Sequence, residues 1–108
     1  MTAEPEIVRI VPPFERLDAA AAPQFKSDLD ANLPKDSQRV LLDLSNVDFV
    51  DSTGLGALVG LLKRLGGSGR IAVVGVKPAV RRLFQLTRLE ELFNLSDSEE
   101  EAMNALGA

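Results

Sequence analysis

Two hydrophobic periods take turns along this chain. Short, β-branched apolar runs at positions 7–11, 39–44 and 71–76 alternate with longer stretches whose apolar residues recur every three or four positions. Ile7-Val8-Arg9-Ile10-Val11 is bounded by Pro5 and by Pro12-Pro13, which predicts a strand at or near a sheet edge. Positions 14–18 read as a second short strand or an extended connection. The run at 39–44 is nearly continuously apolar apart from Asp43, and its character extends through Phe49 and Val50. Such runs belong to central strands covered on both faces, and 71–76 reads as the next buried strand.

Helical spacing predicts four helices. Residues 21–33 place Phe25, Leu29 and Leu33 on one face, with Pro23 tolerated in the first turn and Pro34 as the stop. Residues 52–65 give the best-defined helix: Leu55, Leu58, Val59, Leu62 and Leu65 share one arc, which is the core face. A third helix begins at Pro78 and runs through about 87, with Val80, Leu83 and Phe84 inward. Leu92-Phe93-Asn94-Leu95 is expected to be a last edge strand. Ser98-x-x-Glu101 is a capping box for a closing helix that buries Ala102, Met103 and Leu106, and Ser96-x-x-Glu99 competes as the cap. The strand–helix–strand unit across 39–76 is expected to join parallel strands by a right-handed crossover. With no repeat and no linker, the expectation is one domain over residues 1–108: α/β, a mixed, mainly parallel sheet with about four helices packed on it.

Composition narrows the chemistry. The 108 residues include no Cys and no His, which removes thiolate nucleophiles, imidazole bases and the usual metal ligands. Carboxylates, lysines and hydroxyls remain, without the partner that normally activates a serine. A non-enzymatic role without metal or cofactor is therefore expected. Twelve basic against sixteen acidic residues give a net charge of −4; the basic ones are scattered, and Trp and Tyr are absent. That pattern disfavours nucleic acid. No run approaches the ~20 apolar residues of a membrane span, and Met1-Thr2-Ala3-Glu4 lacks the layout of a secretion signal, so a cytoplasmic location is expected.

What chemistry the chain offers lies in Asp51-Ser52-Thr53-Gly54-Leu55-Gly56, where an apolar strand hands over to the best-defined helix. Two readings of its hydroxyls stand. Ser52 or Thr53 caps the helix, as such residues commonly do; or Asp51 is the cap and both hydroxyls sit in the first turn, where helix N–H groups favour a phosphate. Opposite the core face lie Thr53, Gly56, Ala57, Gly60 and Arg64, a strip of small residues that either simply faces solvent or admits another protein close to the backbone. DSTGLG lacks the Gly-Lys-Ser/Thr of a P-loop, and Gly54-x-Gly56 alone is weak evidence for nucleotide binding.

These residues resemble the STAS domain family, and within it the bacterial anti-sigma factor antagonists. The likeness covers nearly the whole chain from Leu17-Asp18 onward. Its most specific part is Leu42-x-Leu44-Ser45-x-Val47-x-Phe49-Val50-Asp51-Ser52-Thr53-Gly54-Leu55-Gly56, joined by Val76-x-Pro78-Ala79-Val80-Arg81-Arg82-Leu83-Phe84 and by Glu101-Ala102. The resemblance implies a STAS-like fold and a partner switch. The chain would bind an anti-sigma factor with serine kinase activity and so free a sigma factor. The kinase, using ATP and Mg²⁺, would phosphorylate Ser52, with Thr53 as the secondary candidate, and a PP2C-like phosphatase would reverse the reaction. Asp18, Asp51, Ser52, Thr53, Gly54, Gly56, Ala57, Gly60, Lys63 and Arg64 are the expected partner-contact residues. Pro12-Pro13-Phe14-Glu15-Arg16 stands where the family often has a Gly between its first two strands, and Ala21 or Ala22 where it has Thr or Ser, so a shortened N-terminal hairpin is expected. The alternative is a STAS subunit of a transport or sensor assembly that does not switch; a phosphate-cradling enzyme is the remoter rival.

Overall fold

The computed structural model describes residues 7–34, 39–67 and 70–107. Three strands, β1 (Ile7–Ile10), β3 (Arg39–Asp43) and β5 (Ile71–Val74), form a sheet in the order β1-β3-β5. Two short strands, β2 (Arg16–Leu17) and β4 (Phe49–Val50), pair with each other. All three strand pairings among the described residues are parallel. The expected N-terminal hairpin is not formed: β1 pairs with β3, and β2 with β4. Pro12 and Pro13 supply no N–H to a ladder between them.

Strand β3 is central, and its continuous apolar run follows from cover on both faces. Val40, Leu42 and Leu44 join the main core with Ile71 and Val73, beneath α1 (Ala22–Asn32) and α2 (Ser52–Arg64). Leu41, Ala72 and Val74 point the other way and pack under Ala102 and Leu106 of the closing segment, where α4 spans Glu99–Ala105. Helix α3 (Pro78–Leu86) buries Val80 and Phe84, and the Phe84 ring meets Phe93 edge-on at 5.2 Å. Leu83, expected inward, is half-buried. The core face of α2 is broader than the sequence arc, because Leu61 is also buried while Val59 is half-buried.

Two expectations need correction. The apolar character of 40–50 is not one strand. Asp43 Oδ1 accepts the Ser45 N–H at 2.9 Å, the Val47 N–H donates to the Leu44 carbonyl, and the chain turns before β4. The last edge strand at 92–95 reduces to a single parallel bridge from Leu95 to Val73. Asn94 takes a left-handed conformation (φ 48°) and its side chain donates to the Ile71 carbonyl at 2.8 Å, so the segment winds instead of extending. At the closing helix Ser98 is the cap, its hydroxyl accepting the Glu101 N–H, whereas the Ser96 hydroxyl donates to the Asn94 carbonyl.

Candidate functional site

Parallel pairing of β2 with β4, Leu17 opposite Val50, brings the turns that follow both strands to the same end of the molecule. One leads into α1 and the other into α2. Asp51 joins them. Its N–H donates to the Leu17 carbonyl at 3.3 Å. Oδ1 of its carboxylate accepts the Gly54 N–H at 2.8 Å and Oδ2 accepts the Ala19 N–H at 3.1 Å. Asp51 has extended backbone (φ −95°, ψ −177°) and is the N-cap of α2.

The cap assignment decides what the hydroxyls do. Ser52 and Thr53 are the first two residues of α2 and both are exposed. No described residue takes up either hydroxyl, so neither is spent on holding the turn. The free N–H groups and dipole of a helix start favour negative charge there.

Gly54 is buried, unlike the rest of the expected contact strip. A Cβ built on it would lie 1.9 Å from the Leu17 carbonyl oxygen, so only glycine lets α2 approach β2 this closely. Gly54 therefore sets the position of the helix and offers no surface. At the other end, Gly66 (φ +104°) closes α2: its N–H donates to the Lys63 carbonyl and that of Gly67 to the Leu62 carbonyl.

Asp18 sits in the turn beside Asp51. Its carboxylate accepts the N–H groups of Ala20 and Ala21 at 3.1 and 3.0 Å and faces Arg16 Nε at 3.4 Å. This replaces the Ser or Thr cap that α1 lacks, Ala21 having no capping side chain. The Ala21 N–H lowers the Asp18 pKa; desolvation opposes it, and Arg16 and the Ala20 N–H reinforce it.

Gly56, Ala57, Gly60 and Arg64 line a groove of about 370 Å³ between α2 and α1, with Leu29 and Leu61 on its floor. A Cβ at Gly56 or Gly60 would meet nothing within 4 Å. Arg64 is engaged within the chain, to Asp30 at 2.9 Å and to the Leu33 carbonyl at 3.4 Å, while Lys63 is exposed at the last turn. The groove and the second role of Asp51 escape a reading of the sequence, because both depend on where α1 lies. No His, Cys, Asp or Glu cluster among the described residues could hold a metal ion, and no helix of the described residues is long and apolar enough to cross a membrane.

Comparison with known proteins gives a consistent picture. The sequence model of the STAS domain matches residues 1–102. The anti-sigma-B factor antagonist of Staphylococcus aureus is 32% identical over 85 residues, which are 78% of this chain and 79% of that protein. The crystal structure of an anti-sigma factor antagonist from Mycobacterium paratuberculosis superposes with a TM-score of 0.80 at 26% identity, covering 99% of this chain and 91% of the other. The Bacillus cell fate determinant SpoIIAA in its phosphorylated form shares the fold, with a TM-score of 0.65 at 24% identity over 96% of this chain and 94% of that one.

Proposed function

The chain belongs to the STAS domain family, and on that premise we propose that it is an anti-sigma factor antagonist switched by phosphorylation at Ser52. It binds an anti-sigma factor with serine kinase activity, which frees a sigma factor. Transfer of phosphate to Ser52 breaks the complex, and a PP2C-like phosphatase restores the binding form. This exchange runs in the cytoplasm. The name of the staphylococcal relative supports the partner class. The observation that carries the switch is that Asp51 caps α2, leaving the Ser52 hydroxyl exposed and unbonded at the helix start.

A phosphate adds about −1.5 to −2 charge. In the free protein the start of α2 favours it by about 0.3–1 kcal/mol, the neighbouring Asp51 carboxylate opposes it, and water screens both, so the fold is retained. In a docked interface the same group is desolvated. One like-charge pair at ~4 Å then costs about 4 kcal/mol at an effective dielectric near 20, an affinity loss of several-hundred-fold at about 1.4 kcal/mol per decade. Thr53, also exposed, is the secondary acceptor. The docking face comprises the Asp18 turn and the outward strip Gly56, Ala57, Gly60, Lys63 and Arg64, with Gly54 and Asp51 holding α2 in place beneath it.

Phosphopeptide mapping of the chain after incubation with its anti-sigma factor and Mg·ATP tests the reading. Phosphate on Ser52, absent from Ser52→Ala, is the expected result. A partner that binds without modifying the turn would favour the subunit that does not switch.

A further inference from the structure

Helix α3 carries two stripes. Val80 and Phe84 face the core. Ala79, Arg82, Leu83 and Leu86 recur at i, i+3, i+4 and i+7 and line, with Asp48, Phe49 and Val50, a shallow groove of about 260 Å³ on the outside. Leu86 is 71% exposed and Phe49 40%. Scattered surface apolar residues need no explanation, but these share one groove at the spacing that helix-pairing surfaces use.

Charge marks the same place. From position 76 to 89 there are four cations, Lys77, Arg81, Arg82 and Arg88, and no Asp or Glu, in a chain whose net charge is −4. Lys77 pairs with Asp48, and Arg81 with Asp97 at 3.3 Å. Arg82 is exposed and has no carboxylate partner among the described residues. Arg16, the β2 register partner of Phe49, places its guanidinium 4.2 Å from the Phe49 ring centre and faces Asp18 at 3.4 Å. Asp48, the one acidic residue of the lining, is neutralised by Lys77, which leaves the apolar lining with the unpaired charge of Arg82 and fits a segment with apolar anchors and a carboxylate. The volume falls below the ~300–1,000 Å³ usual for small-molecule sites, which favours protein side chains over a metabolite. Two helical turns in an acidic protein offer little to a membrane surface.

Phe49 and Val50 line the groove, and the chain passes from them through Asp51 to Ser52, so the groove adjoins the Ser52 turn along the chain. We propose that the Phe49–Leu83–Leu86 groove is a second docking site for the same anti-sigma factor, which seats there an amphipathic segment with apolar residues on the floor and a carboxylate toward Arg82. The proposal rests on the function given above and adds the chemistry of the partner's contacting segment.

The test places a photo-reactive phenylalanine analogue at position 86 or, separately, at position 53 of the full chain in its native cells, and identifies captured proteins by mass spectrometry. The same kinase is expected from both positions. With that kinase purified, Leu86→Ser and Arg82→Glu should each weaken binding by about tenfold or more, as loss of an interface anchor does, with melting curves unchanged. Capture of the kinase at position 53 but of lipid, a second copy of this chain, or nothing at position 86 would overturn the groove and leave the function standing; so would unchanged affinity in both variants. Absence of a kinase at both positions would overturn the proposed function and the groove with it.

Discussion

Asp51→Ala removes one carboxylate that holds two loops. It deletes the cap bond from Gly54 N–H (2.8 Å) and the cross-tie from Ala19 N–H (3.1 Å). Loss of an N-cap alone costs about 0.5–2 kcal/mol, and a hydrogen bond to a charged acceptor contributes about 1.5–3 kcal/mol. Asp51 is only half-buried, so water takes up part of what the side chain leaves. A net loss of about 2–3 kcal/mol follows, or roughly 10–20 °C in Tm for a domain of this size. Asp51→Asn should fall between: its amide oxygen still accepts from Gly54, but its NH₂ cannot accept from Ala19. Ser52→Ala should melt close to the wild type, because the serine hydroxyl holds nothing. Circular dichroism melts give the ranking, and amide hydrogen exchange localises it, with Gly54 and Ala19 losing protection in Asp51→Ala. An Asp51→Ala protein that melts with the wild type, or a Ser52→Ala protein that falls as far, would refute the assignment of the cap.

Gly54→Ala should destabilise by about 1–3 kcal/mol or more, because the added carbon meets backbone at Leu17, whereas Gly56→Ala has open space and should gain up to about 0.8–1 kcal/mol; denaturant titration separates the two. Gly60→Leu projects into the groove between α1 and α2 from a position where a Cβ meets nothing within 4 Å, so it should leave the melting curve in place and weaken binding of the anti-sigma factor in calorimetry; unchanged affinity would remove the strip from the docking face. Asp18 has its folded-state pKa lowered from 3.8, chiefly by the Ala21 N–H. Its stabilising contribution is therefore present above the unfolded value and is lost as pH falls through the folded one. Asp18→Asn should reduce the acid-side loss of stability below about pH 4 in melts taken across pH, and an unchanged acid limb would count against the bonds described.

Much of this architecture could be read in advance where periodicity and burial coincide. The doubly covered run at β3, the α2 face led by Leu55, Leu58 and Leu62, and the Ser98 cap are local patterns that packing reinforces. The reading failed where a short polar group overrode an apolar run. Asp43 and Ser45 turn the chain before Phe49, and Asn94 winds a segment whose leucines suggest a strand. At the site, the motif located the turn and left open which residue caps it. That choice depends on Ala19, 32 residues away in sequence, whose N–H takes the second Asp51 oxygen. The burial of Gly54 was equally invisible, since it reflects the Leu17 carbonyl of another strand.

The central claim is that charge on an exposed serine repels a docked protein without disturbing the domain that carries it. Titrating the anti-sigma factor with stoichiometrically Ser52-phosphorylated and unmodified chain, each with its melting curve, tests this most directly. The account predicts a several-hundred-fold weaker complex for the phosphorylated form at nearly the same Tm. Equal affinities, or a loss of binding that tracks unfolding of the phosphorylated chain, would contradict it.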